Sequence, residues 1–282
     1  MRPLKYLALA ALVLALAACS LTKVAYNNAG FMVTYLVDDY LDLNSPQEDW
    51  VRERLGKAIA WHRQQELPEY ERFLRDTLAR TERTFTATDA RFVSDGLRKY
   101  FKRTMEKILP DIADLLAQLD AEQVAHFEKR YTDESVKIAR ETVKPAPPER
   151  TEKRAKKMIE QIETYTGRLS SDQRDLVTGR VHFIPDVAEM RLADRRTRQE
   201  LLVKLVRARP AKPEMVASLD RLLVEPDSWR DPQYTVKMKE REDQIIEMVV
   251  VLAATLTPEQ RGNVQKKLRS YLNDVTSLMA LR

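Results

Sequence analysis

The chain has 282 residues, with 48 Lys and Arg against 43 Asp and Glu, three His, one Cys and six Gly. A single cysteine excludes a disulfide framework. Few glycines, 44% hydrophobic residues and no sustained period-2 apolar pattern exclude a strand-rich fold and predict an all-α protein, in one elongated domain or two compact ones.

The first residues, MRPLKYLALAALVLALAACS, carry Arg2 and Lys5, then an unbroken apolar run from Tyr6 to Ala18. A basic start, an apolar core of that length and small residues before a cut predict a signal peptide over residues 1–18, too short for a comfortable membrane span. The next four-residue window, Leu16, Ala17, Ala18 and Cys19, resembles the lipobox of bacterial lipoproteins. That resemblance implies that Cys19 becomes the mature N-terminus and carries palmitate-type acyl chains. Each buried CH2 contributes about 0.8 kcal/mol, so several chains would hold the protein to a membrane without spanning it. Ser20 stands where an Asp would retain such a lipoprotein in the inner membrane. The expected location is therefore the outer membrane, facing the periplasm.

Helical periodicity then marks about eight to nine helices, arranged as an elongated bundle of two similar halves. The first covers about 24–42. The next starts after Leu43, runs past Trp61 and bends at Pro68. Others cover about 88–119, 120–142, 151–167, 170–207 with an interruption near Pro185, 213–224, 232–256 and 257–281. Residues 143–150, VKPAPPER, break the series with three prolines in four positions and predict a stiff connector between residues 19–142 and 151–282. Residues 19–142 carry 19 basic and 22 acidic side chains, and residues 143–282 carry 27 and 21. The stretch DQIIEMVVVLAATL is the most apolar of the mature chain, and its fourteen residues bounded by charge predict a buried helix.

Chemistry-bearing constellations are sparse. The basic runs RKYFKR, EKRAKK and RRTRQ have acids interleaved on the same helices and read as solvated faces, so no nucleic-acid partner is expected. His62 and Glu66 stand one helical turn apart, but two ligands do not make a metal site, and a packed corner with a buried hydrogen bond is the favoured reading. Asp38, Asp39 and Asp42 lack the Gly turn and distal Glu of a calcium loop and read as helix-end caps. The sequence predicts no catalytic residue, no metal and no cofactor.

One pattern recurs four times. Leu43, Leu119, Leu169 and Leu256 are each followed by a cap-type residue (Asn44, Asp120, Ser170, Thr257) and, four places on, by Gln47, Gln123, Gln173 and Gln260. The cap oxygen can accept the N–H three residues on, while the glutamine reaches back to the cap's own N–H. Apolar residues eight and twelve places after each Leu bury one face of the helix that follows.

The copy LTPEQR resembles the LTxxQ motif of the Spy and CpxP family of small helical periplasmic proteins. Spy-type proteins are ATP-independent chaperones that hold unfolded clients on a surface mixing basic and apolar groups. A second resemblance spans nearly the whole chain. The lipobox, the acidic and aromatic stretch AYNNAGFMVTYLVDDYLDLNSPQ and the segment AWHRQQELPEYERFL resemble, in that order, an uncharacterised family of proteobacterial lipoproteins, a domain of unknown function. Together these imply a non-enzymatic membrane-anchored binding protein for unfolded clients. The alternative is a structural or assembly scaffold with one dedicated envelope partner. Neither fixes the oligomeric state.

Overall fold

The computed structural model describes residues 21–280, so the predicted signal segment and Cys19 lie outside the described residues. Every regular element among the described residues is helical. In chain order these are α1 (Leu21–Asn27), α2 (Ala29–Leu41), α3 (Ser45–Trp61), α4 (Leu67–Thr81), α5 (Ala87–Ala117), α6 (Ala121–Ile138), α7 (Pro147–Thr166), α8 (Ser171–Val181), α9 (Ala188–Ala208), α10 (Lys212–Leu223), α11 (Pro232–Thr255) and α12 (Pro258–Ala280). A π-helical turn, His62–Glu66, joins α3 to α4 without a gap, so these twelve α-segments make eleven rods. The expectation of eight to nine helices falls short. One miss is Asn28, which stops α1 while its side chain donates back to the Val24 carbonyl at 2.8 Å. The other is the stretch around Pro185, which separates α8 from α9 instead of merely denting one long helix.

Two prolines act through the helix ahead of them. Pro cannot donate to the helical ladder and its ring crowds the carbonyl four residues earlier. Just before Pro68, the Leu67 N–H reaches five residues back to the His62 carbonyl. Just before Pro145, the Lys144 N–H does the same to the Ala139 carbonyl at 2.9 Å, closing the π-turn Ala139–Val143. The chain widens by one residue per turn at both places. Pro147, at the first position of α7, then restarts the helix where a missing N–H costs nothing. Pro110, in contrast, stays inside α5.

Three cores hold the rods together. The first packs Leu41, Val51, Leu109, Leu116, Leu119 and Phe127 against Val203, Val206, Met215 and Leu219, so α9 and α10 close over α3, α5 and α6. The second gathers Ala155, Leu169, Val177, Val181, Met248 and Leu252 from α7, α8 and α11. In the third, Val275 and Leu278 near the end of α12 meet Leu67 on α4, with Tyr26, Tyr70 and Leu74 around them. Residues from both sides of 143–150 share the first and third cores. Fully burying each large aliphatic side chain contributes about 1.5–3 kcal/mol. No helix among the described residues is long and apolar enough to cross a membrane.

The approach of α4 to α5 depends on Gly96. A Cβ there would lie 2.3 Å from Phe73 Cε2, and the Phe73 ring is itself wedged between Phe92 (5.4 Å) and Tyr100 (5.5 Å). Alanine favours a helix interior over glycine by about 1 kcal/mol, but overpacking costs about 1–3 kcal/mol, and the half-buried ring can shift only by disturbing its contacts with Phe92 and Tyr100. Gly96→Ala should therefore lower stability by about 1–2 kcal/mol in urea denaturation, where an exposed helical Gly→Ala change would raise it.

Candidate functional site

The four motif copies sit at the starts of α3, α6, α8 and α12. Asn44, Asp120 and Ser170 each accept the N–H of the glutamine three residues on, and each glutamine accepts the cap's N–H in return. At the fourth copy the Thr257 N–H donates to Gln260 Oε1 at 3.0 Å, and the Gln260 N–H donates to Thr257 Oγ1 at 3.2 Å.

The glutamines also meet in pairs. Gln47 Nε2 donates to Gln123 Oε1 at 3.1 Å, and Gln123 Nε2 donates to Gln47 Oε1 at 2.7 Å. Gln173 and Gln260 exchange the same two bonds, each at 2.9 Å. Each amide then spends its second N–H on the backbone carbonyl just before its partner's Leu. Gln47 reaches Gln118, Gln123 reaches Asp42, Gln173 reaches Thr255 and Gln260 reaches Arg168. All four glutamines are buried, and Leu119 and Leu169 lie in the cores beside them. A glutamine carries two donors and one doubly accepting oxygen, so this exchange saturates each side chain. Nothing is left over to bind a ligand, and each pair clasps two helix starts together.

The turn at 62–66 forms a second polar cluster. His62 Nδ1 lies 3.0 Å from the Tyr26 hydroxyl and Nε2 lies 3.1 Å from the Tyr70 hydroxyl. Burial lowers the His62 pKa and raises those of Tyr26 and Tyr70, so the ring is neutral and one tyrosine donates while the other accepts. Glu66 lies fully buried, with Arg103 Nη2 2.9 Å from its Oε1. No group of three or more His, Cys, Asp or Glu side chains among the described residues could hold a metal ion. At the acidic stretch, Asp38 accepts the Leu43 N–H at 3.0 Å and Asp39 pairs with Arg130 at 2.6 Å.

Much of the charge in two basic runs is spent within the fold. Arg98 meets Glu242 at 2.8 Å and Lys102 meets Glu225 at 2.6 Å, while Arg195 meets Glu134 at 2.6 Å.

An open apolar cleft of about 420 Å³ lies where the turn after α4, the end of α7, the end of α11 and the start of α12 converge. Phe85, Ile162, Val249, Leu252, Leu256 and Val264 form its walls. Arg83, Tyr165 and Arg261 also line it, and all three are solvent-exposed. Arg83 is tied to Asp89, which is fully buried and also accepts from Arg80 and Thr86. The Arg83 guanidinium holds the Asp89 carboxyl far below the usual carboxylate range, with Thr86 adding to the effect. The cleft thus offers apolar walls with a basic edge, in which Arg83 is ion-paired and Arg261 bonds the Leu256 carbonyl. Sequence periodicity could not locate it, because its walls come from four separate segments.

Comparison with curated proteins and with solved structures finds no match. Residues 39–235, more than half of the chain and three of the four motif copies, match the family described as "Family of unknown function (DUF6279)". The chain belongs to that family of unknown function.

Proposed function

We propose that the protein is a lipoprotein held through Cys19 at the periplasmic face of the outer membrane, where it binds apolar segments of other proteins without catalysis or nucleotide. The observation that carries this reading is the apolar cleft between α7, α11 and α12, which is large enough for one or two bulky side chains and open to solvent. Its mixture of apolar wall and basic edge is the surface chemistry of the Spy-type holdases that the LTPEQR copy resembles. The chain from Ser20 onward should suppress aggregation of a chemically reduced client at near-equal molar ratio. Ala254, an exposed residue of the cleft, offers the control, because Ala254→Trp fills the cleft from its open side and should abolish suppression. If the unsubstituted chain leaves aggregation unchanged, the reading fails.

A second reading is an assembly scaffold with one folded envelope partner, and α2 favours it. Phe31, Met32, Tyr35 and Leu36 are all exposed on one side of that helix, Phe31 by 77%, in a stretch from Val24 to Val37 without a single charge. Apolar side chains clustered in this way mark an interaction surface. Crosslinking from position 31 separates the two readings: one stoichiometric partner supports the scaffold, and a broad set of unfolded clients supports the holdase.

A further inference from the structure

We infer that a basic cavity beside the Pro-rich connector is a binding site for a phosphoryl group. The cavity, of about 500 Å³, is walled by the π-turn before the connector, α7, the start of α9 and α11. Six cations line it: Arg150, Lys153, Arg154 and Lys157 from α7, Arg191 from α9 and Arg241 from α11. The acids lining it are Glu141 and Asp186.

Spacing alone supplies four of the six cations. Residues 150, 153, 154 and 157 fall at i, i+3, i+4 and i+7, so one face of α7 presents all four cations inward. The loop between α8 and α9 fixes two of the guanidiniums. Arg154 donates to the Ile184 and Pro185 carbonyls at 3.2 and 3.1 Å, and Arg241 donates to the Pro185 carbonyl at 2.9 Å.

The six cations of the cavity face only two acids. Asp186 is engaged by Arg150 at 2.8 Å, and Lys153 pairs with Glu149 at 2.6 Å. Arg154, Lys157, Arg191 and Arg241 have no carboxylate within ion-pair distance among the described residues, in a protein whose arginines are elsewhere routinely paired. The Nε–H of Arg154 is closed off from solvent and has no acceptor. Arg241 is held below its ordinary pKa by burial first and then by Arg191 and Arg154, which shows how closely the like charges crowd. Crowding cations without counter-ions is costly, and an anion accepting several charge-assisted hydrogen bonds offsets it. Guanidinium forks fit a tetrahedral phosphoryl group in two-point geometry, which favours phosphate over a small halide. The cavity volume suits a phosphate ester or the headgroup of an anionic phospholipid.

The test uses the full mature chain, titrated with inorganic phosphate, pyrophosphate and the water-soluble dihexanoyl-phosphatidylglycerol, each against potassium chloride of equal ionic strength, and with dihexanoyl-phosphatidylcholine as the zwitterionic control. Saturable heat or a saturable rise in Tm with phosphate or pyrophosphate supports a soluble source, and the same with only the phosphatidylglycerol supports a lipid headgroup. Lys157→Gln with Arg191→Gln removes two cations that make no side-chain bond among the described residues, so this variant should fold with an unchanged or higher Tm and bind at least tenfold more weakly. Undiminished affinity in that variant, or no saturable binding of any of the three anions at millimolar concentration, overturns the inference.

Discussion

Arg103→Met should lower stability by about 3 kcal/mol, at the lower end of the range for breaking a buried ion pair, because Arg103 itself is about one-third exposed. Glu66 is 0% exposed, and neither of its carboxylate oxygens has a hydrogen bond. The guanidinium 2.9 Å away is its one ion-pair partner among the described residues, so removing it strands a charge in the packing between α4 and α5. Urea denaturation at neutral pH gives the loss directly. Adding Glu66→Met to Arg103→Met should recover a large part of it.

Gln123→Leu is the second change with a large expected effect, about 2–4 kcal/mol. The substitution keeps the apolar bulk but removes the acceptor for the Asp120 N–H, both bonds to Gln47 and the donor to the Asp42 carbonyl. Each of those groups is partly or wholly buried, and a buried polar group without a partner costs about 1–3 kcal/mol. A helix-cap substitution alone costs about 1 kcal/mol, so a loss well above that separates the clasp from ordinary capping. Thermal or urea melts of Gln123→Leu beside Asp120→Ala make the comparison.

These two sites also show which parts of the structure are legible in the sequence. The capping exchange between Asn44 and Gln47 needs only two residues three apart at a helix start, so spacing is enough to find it. The amide exchange between Gln47 and Gln123 spans 76 positions and depends on how α3 and α6 are docked, which no local pattern encodes. The all-helical class follows from composition and periodicity, whereas the count of rods does not. Asn28 and the residues around Pro185 end helices through local bonds that weigh less in a periodicity count than the apolar pattern running through them. The π-turn at 62–66 places His62 between two tyrosines and Glu66 against Arg103, and helical spacing alone would have put His62 and Glu66 on a common face. Of the basic cavity, only the α7 face can be read from spacing, because Arg191 and Arg241 lie on other helices, 37 and 87 residues beyond Arg154.

None of the four glutamines lines the cleft or the basic cavity, although Leu256 of the fourth copy forms part of the cleft wall, so the glutamine pairs contribute architecture while the cleft and the basic cavity are the proposed recognition surfaces. A double-mutant cycle on Gln173 and Gln260, with Gln47 and Gln260 as the separated pair, tests that division most directly. The clasp predicts a coupling of about 1 kcal/mol or more between Gln173 and Gln260, additivity within about 0.5 kcal/mol between Gln47 and Gln260, and unchanged client binding by a folded Gln47 variant. Additive losses at Gln173 and Gln260, or a folded Gln47 variant that no longer binds clients, would contradict it.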